Sequence, residues 1–202
     1  GSRLAEEEVL PMLAPLMPLV YRYFARHRPD ISPGRLLEAA GTESSALTAR
    51  IFLSECQLLV TDPGAVTQIW HRDNSRPGLT VILPLTDVDA EVGPTQVLPG
   101  THLTAEGGLV AAADVAAALR RSAGAVAPAP LAAGSALVYD SRVLHRGLAN
   151  ASYGRCRVAF AVRFDVSDSP PPGATVLQTQ LARAAGLALR GLGALYSALP
   201  VP

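Results

Sequence analysis

The feature that most constrains this chain is the run Gln68-Ile69-Trp70-His71-Arg72-Asp73-Asn74. In an extended strand, residues two apart point to the same side, so His71 and Asp73 present an imidazole and a carboxylate to one point. A third donor has to come from elsewhere, and of the remaining histidines only His145 has a fitting context, the strand-like run that begins at Ala136. A shared site therefore requires two sequence-distant extended segments to meet. Two imidazoles and one carboxylate on one face of an octahedron suit Fe(II) and leave three positions open, of which a 2-oxo acid can occupy two and O2 the third.

At 202 residues the chain has the length of one domain with a sizeable core. Acidic and basic residues balance at 17 each, so charge gives no case for nucleic acid or for an anionic membrane surface. No apolar run is long enough for a membrane span; the apolar tail is broken by Gln178, Gln180, Arg183 and Arg190. The start carries Glu6, Glu7 and Glu8 with no basic leader region. Cys56 and Cys156 do not make a disulfide framework and read as two reduced thiols, the usage of a cytoplasmic protein.

Residues 3–27 carry apolar positions at helical spacing, interrupted by Pro11, Pro15 and Pro18, which predicts one kinked helix or two short ones. A loop with a short helix at 34–40 follows. From residue 47 the pattern turns to strands: 49–53, 57–61, 66–71, 79–85 and 95–98, with a turn at Asp62-Pro63-Gly64. Residues 103–133 are an insertion rich in Ala, Gly and Pro, with a helix expected at 111–121 and loop at 123–133. Its length suits a lid. A strand is expected at 135–140, continuing through 142–147. Residues 157–166 alternate, with Arg157, Ala159, Ala161 and Arg163 on one face and Val158, Phe160, Val162 and Phe164 on the other. A helical tail is expected over 175–199. The whole is a mostly-β single domain with flanking helices: a helical N-terminal part over about 3–45, a β core over about 47–166, and the tail.

Three separated segments together carry a resemblance. They are Pro63-Gly64-Ala65 through Trp70-His71-Arg72-Asp73, then Gly93-Pro94-Thr95-Gln96-Val97-Leu98-Pro99-Gly100-Thr101-His102, then His145-Arg146-Gly147-Leu148-Ala149-Asn150 with the arginine-rich strand after it. In this joint pattern the chain resembles the phytanoyl-CoA dioxygenase family over roughly residues 55–166. The resemblance implies a double-stranded β-helix, the jelly-roll or cupin-like core, holding Fe(II) and the co-substrate 2-oxoglutarate, with O2 as oxidant.

By the resemblance His71, Asp73 and His145 are the metal ligands. A carboxylate at Asp73 implies a hydroxylase-type oxygenase; related halogenases carry a small residue there, which frees a site for chloride. The far carboxylate of 2-oxoglutarate falls to Arg157, because a guanidinium binds a carboxylate bidentately and keeps its charge when buried. Arg155 is the rival, since both share one strand parity. Gln68, three residues before His71, matches a position near the metal-side carboxylate of the co-substrate, and Thr80 and Thr95 are candidate hydroxyl donors to it. Trp70, Arg72 and Asn74 are candidates for lining the substrate entrance, with core packing the competing role for Trp70 and a solvated surface for the other two. Tyr139 and Asp140 are candidate supports for a metal ligand, Asn150 a turn cap, and His102 a loop-fixing residue.

The implied reaction is oxidation, foremost hydroxylation, of an aliphatic C–H bond in a small metabolite or natural-product intermediate, with release of succinate and CO2. The chain itself does not name the substrate. Two alternatives use the same residues: a cupin-like metalloenzyme independent of 2-oxoglutarate, and a non-catalytic sensor that keeps the fold.

Overall fold

The computed structural model describes residues 13–27, 51–104, 112–122 and 127–166. The expected helices at 34–40 and 175–199, and the first part of the N-terminal helix, lie outside them. The chain divides into two compact units, residues 55–163, and residues 1–54 with 164–202.

In the second of these units a 3₁₀ turn, Ala14–Leu16, runs into helix α1, Met17–His27. Pro15 and Pro18 fall at the first turn of each, where no amide hydrogen is needed. They start helices and do not kink one. Leu13, Met17, Val20 and Phe24 are all buried, the i, i+4, i+7, i+11 stripe of one helix face.

Residues 55–163 carry most of the strands. One sheet has four, in the order β1 (Ile51–Thr61), β7 (Arg157–Val166), β2 (Leu79–Pro84), β5 (Leu137–Asp140). The other has three, in the order β4 (Ala127–Ala129), β3 (Thr95–Leu98), β6 (Leu144–Gly147). β2 pairs antiparallel with β5, placing Thr80 opposite Tyr139. β3 pairs antiparallel with both of its neighbours, with Thr95 opposite Gly147 and Val97 opposite His145. The described residues are thus mostly β with few helices, and none of those helices is long and apolar enough to cross a membrane.

Several strand expectations need correction. Residues 51–61 form one strand, not two. Residues 66–70 form no strand; His71 makes a single antiparallel bridge to His145, with both backbone hydrogen bonds at 3.0 Å. The expected continuous run over 135–147 is two strands in different sheets. Asp140 ends the first: its Oδ1 accepts from the Arg142 amide at 2.9 Å, and Val143 N donates to its carbonyl at 2.8 Å. That side-chain turn redirects the chain, and Asp140 holds the Arg142 guanidinium rather than a ligand residue. Within the expected loop 123–133, β4 adds to the edge of β3, and Leu131 exchanges two backbone hydrogen bonds with Val88. The helix of the insertion, α2, spans Ala112–Arg121. Its Ala118 is buried with Leu98 and Leu144, and Trp70 packs against the three.

Two residues lock the loops that carry the ends of these strands. Gly93 has φ +80°, and a Cβ there would stand 2.2 Å from the carbonyl oxygen of Ala149; only glycine allows both. Asn150 is buried beneath the 148–156 turn. Its amide donates to the carbonyls of Thr61 (3.0 Å) and Arg155 (2.7 Å), and its Oδ1 accepts from Ser152 N and Oγ. Asn150→Ala would strand these buried partners, and a loss of about 2–4 kcal/mol in unfolding free energy is expected. Chemical denaturation checks it; a loss below about 0.5 kcal/mol, the range of an ordinary surface substitution, would contradict this role.

Candidate metal centre

The bridge between residues 71 and 145 brings their rings together, with centroids 4.3 Å apart. Asp73 follows two residues on, its amide held by the Ser141 carbonyl at 3.0 Å. One ligand atom from each of His71, Asp73 and His145 lies within 4.8 Å of the other two. The three residues singled out in the sequence therefore converge, although the first two sit on an extended segment and not in a strand.

The donor set fits a metal ion. Nδ1 of His71 faces the carbonyl of Ile69 at 2.9 Å, and Nδ1 of His145 faces that of Val143 at 3.0 Å. Both contacts require a hydrogen on Nδ1, so Nε2 is the nitrogen left for a metal. Nε2 of His145 stands 3.3 Å from Oδ1 of Asp73. A lone pair facing a carboxylate needs a cation between them, either a proton or a metal ion.

The other oxygen of Asp73 is engaged by the protein. Thr80 Oγ1 donates to Oδ2 at 2.7 Å and stands 2.9 Å from Ser141 Oγ. The Tyr139 ring lies 4.7 Å from that of His145, and the Asp73 charge acts on the Tyr139 hydroxyl. Burial pushes the Asp73 carboxyl up, but His145, the Thr80 hydroxyl and the Arg163 charge outweigh it and hold it below the usual range. Burial, then the neighbouring His145, lowers His71 and favours the neutral imidazole that a metal needs. Burial and the Asp73 charge raise Tyr139 well above the usual phenol range, so it stays a donor. Thr80→Val keeps the shape and removes the hydroxyl. An Fe(II) affinity about 10-fold to 100-fold weaker is expected, restored by Thr80→Ser. Unchanged affinity in an anaerobic iron titration would show that Thr80 does not orient Asp73.

The triad opens into a cavity of about 340 Å3 within residues 55–163. Arg157, Gln68, Thr80 and Thr95 line it, as do Tyr139 and Gly147. Arg157 is half buried; its guanidinium donates to Thr61 Oγ1 at 3.1 Å and approaches the carbonyls of Leu148 and Val92 at 3.4 and 3.5 Å. Burial lowers its pKa from the ordinary arginine value, yet a guanidinium stays charged at neutral pH. Gln68 and Gly147 exchange hydrogen bonds: Gln68 N to the Gly147 carbonyl at 2.9 Å, and Gly147 N to Gln68 Oε1 at 2.7 Å. A Cβ on Gly147 would come within 3.0 Å of both the Arg157 guanidinium and Gln68 Oε1. The absence of a side chain there leaves room for both.

Other candidates lie elsewhere. Arg155 is at the surface, paired with Asp89 at 2.9 Å and Glu91 at 2.7 Å, because it belongs to the turn before β7 and not to the strand. Trp70, Arg72 and Asn74 do not line the cavity. Their parity turns them away from His71 and Asp73: Trp70 packs on the α2 cluster with Arg146 4.5 Å above its ring, Arg72 binds the carbonyls of Arg142 and Thr101, and Asn74 is buried and accepts from Arg76 N. His102 Nδ1 is buried with no hydrogen-bond partner, so a loop-fixing bond through that atom is absent. Glu55, Gln57, Thr61 and Gly147 also line the cavity, and nothing local in the sequence marks them as lining residues. Arg163 was legible, since it shares the face of Arg157 along β7.

The model of the phytanoyl-CoA dioxygenase (PhyH) family matches residues 24–159. No protein of curated function matches the chain in sequence. Among solved structures, AviO1 from Streptomyces viridochromogenes Tue57 is 26% identical, with 69% of this chain and 63% of AviO1 covered and a TM-score of 0.50. EvdMO1 is 23% identical, with 63% and 32% covered and a TM-score of 0.49. The non-heme alpha ketoglutarate dependent carbocyclase SnoK is 21% identical, with 66% and 60% covered and a TM-score of 0.47. The matched part of this chain thus spans from about a third to less than two thirds of the length of these proteins.

Proposed function

The chain belongs to the phytanoyl-CoA dioxygenase family, and from that premise we propose that it is a non-haem Fe(II)- and 2-oxoglutarate-dependent oxygenase acting on a small molecule. The observation that carries this is the convergence of His71, Asp73 and His145 at a cavity whose wall also holds the half-buried Arg157. A metal hydrolase or isomerase built on the same triad has no need of that arginine. The two sheets, with the segment at His71 bridged to the edge of β6, support a double-stranded β-helix core.

With iron at the triad, 2-oxoglutarate and O2 supply an oxidant strong enough for an unactivated C–H bond and leave succinate and CO2. The protein's part is positioning. His71 and His145 offer Nε2 because backbone carbonyls hold Nδ1. Asp73 offers Oδ1, because Thr80 holds Oδ2. His71, Asp73 and His145 would hold the metal at the cavity wall, with the cavity left for the co-substrate. Arg157 takes the far carboxylate of the co-substrate, and Gln68 and Thr95 line the same space. Thr80, one candidate donor to the co-substrate, gives its hydroxyl hydrogen to Asp73. A carboxylate at residue 73 would take the position a halide needs, which favours hydroxylation or another oxidation over halogenation.

The test is succinate release. Purified protein with Fe(II), ascorbate and O2 should convert 2-oxoglutarate to succinate slowly without substrate, and faster with an accepted one. Metal-dependent conversion of a substrate that proceeds without 2-oxoglutarate would overturn the proposal in favour of a cupin-like metalloenzyme.

A further inference from the structure

The cavity wall has two charged ends, and the proposed co-substrate site uses one of them. Along β7 the odd-numbered residues Arg157, Ala159, Ala161 and Arg163 all line the cavity. Along β1, its neighbour in the sheet, so do Glu55, Gln57 and Thr61. Side chains join the two strands at both ends: Arg157 to Thr61 at 3.1 Å, and Arg163 to Glu55 at 2.7 Å. Between these ends β7 offers the cavity only the apolar residues Ala159, Ala161 and Val162. Six residues of strand span roughly 20 Å, too far for a short diacid held on Arg157 to reach the Arg163 end. Arg163 lines the same cavity as the three metal-ligand candidates, and its charge acts on Asp73.

We propose that Glu55, Gln57 and Arg163 form a second polar anchor in this cavity, opposite Arg157, which holds a neutral hydroxyl or amide group of the substrate. This deepens the oxygenase reading and rests on it. The pair is electrically balanced: the Arg163 guanidinium donates and the Glu55 carboxylate accepts. Both side chains are only partly exposed, at 16% and 26%, so a substrate group meeting them is largely removed from water. A net charge inserted there gains one partner and is repelled by the other, at the expense of its hydration. A group that both donates and accepts hydrogen bonds satisfies both members without separating them, and the Gln57 amide adds one more donor and acceptor. The anchor thereby sets substrate class, a neutral polar molecule, and fixes which C–H bond faces the metal.

Three probes of equal chain length separate the possibilities: hexanol, hexanoate and hexylammonium. Binding to the full-length protein is followed by ligand-observed saturation-transfer NMR, with and without Fe(II) and 2-oxoglutarate under anaerobic conditions. The wild type should favour hexanol over either ion by about tenfold or more. Glu55→Gln should move the preference toward hexanoate, and Arg163→Gln toward hexylammonium. An ionic probe preferred by the wild type, no preference among the three, or an order unchanged in both variants would each overturn the proposal. The wild-type ranking does not depend on either variant folding. Failure of the oxygenase reading shows separately, as the absence of any 2-oxoglutarate complex at the metal while the probe ranking stands.

Discussion

Replacing Asp73 with alanine is expected to abolish 2-oxoglutarate turnover and to weaken Fe(II) binding by more than about a hundredfold, beyond the 10–100-fold that loss of an outer-shell partner causes. Asp73 is the only carboxylate among the converging donors. Its removal leaves two imidazoles, loses the charge that offsets the metal's, and deprives the Thr80 hydroxyl of its acceptor. Asp73→Asn tests charge apart from shape, since an amide cannot give the metal a negative oxygen; it should bind iron weakly as well. An anaerobic Fe(II) titration and a succinate assay check both. Wild-type iron affinity in Asp73→Ala would remove this residue from the ligand set.

Arg157→Ala is expected to raise the 2-oxoglutarate requirement by roughly thirtyfold to several thousandfold. Truncating one partner of a buried, hydrogen-bonded charge pair costs about 2–5 kcal/mol, and each 1.4 kcal/mol is about tenfold. The metal site should be unaffected, so iron binding is the internal control. Arg155→Ala is the matched comparison: its guanidinium sits at the surface on Asp89 and Glu91, and the 2-oxoglutarate requirement should not move. Apparent KM values for 2-oxoglutarate in the two variants decide between the arginines. The reverse pattern would place the co-substrate on the outer side of the turn that precedes β7.

The convergence of His71, Asp73 and His145 was legible from the joint pattern of separated segments, since an H-x-D pair alone is a weak signal, and any extended backbone puts residues 71 and 73 on one side. A strand was not required; two backbone hydrogen bonds to His145 suffice. The face of β7 was legible too, since its alternation survives burial on both sides. Parity could not separate Arg155 from Arg157. What separates them is where the strand begins, set by Asn150 and Ser152, whose side chains both bond the Arg155 carbonyl. The break after Asp140 was hidden because no Gly or Pro marks it, and the acceptor that makes the turn is the Asp140 side chain. β4 was hidden for another reason. An Ala-Pro-Ala segment has no periodicity of its own and becomes a strand because β3 offers an edge. Glu55 carried no motif, and its place in the cavity follows only from β1 lying beside β7.

The most direct measurement of the central claim is an anaerobic titration of the metal-free protein, first with Fe(II) and then with 2-oxoglutarate, followed by visible absorption. If His71, Asp73 and His145 hold iron with an open side toward Arg157, a charge-transfer band of a chelated 2-oxo acid should appear and saturate at one equivalent. Iron that binds at one equivalent without giving any such band would contradict the account.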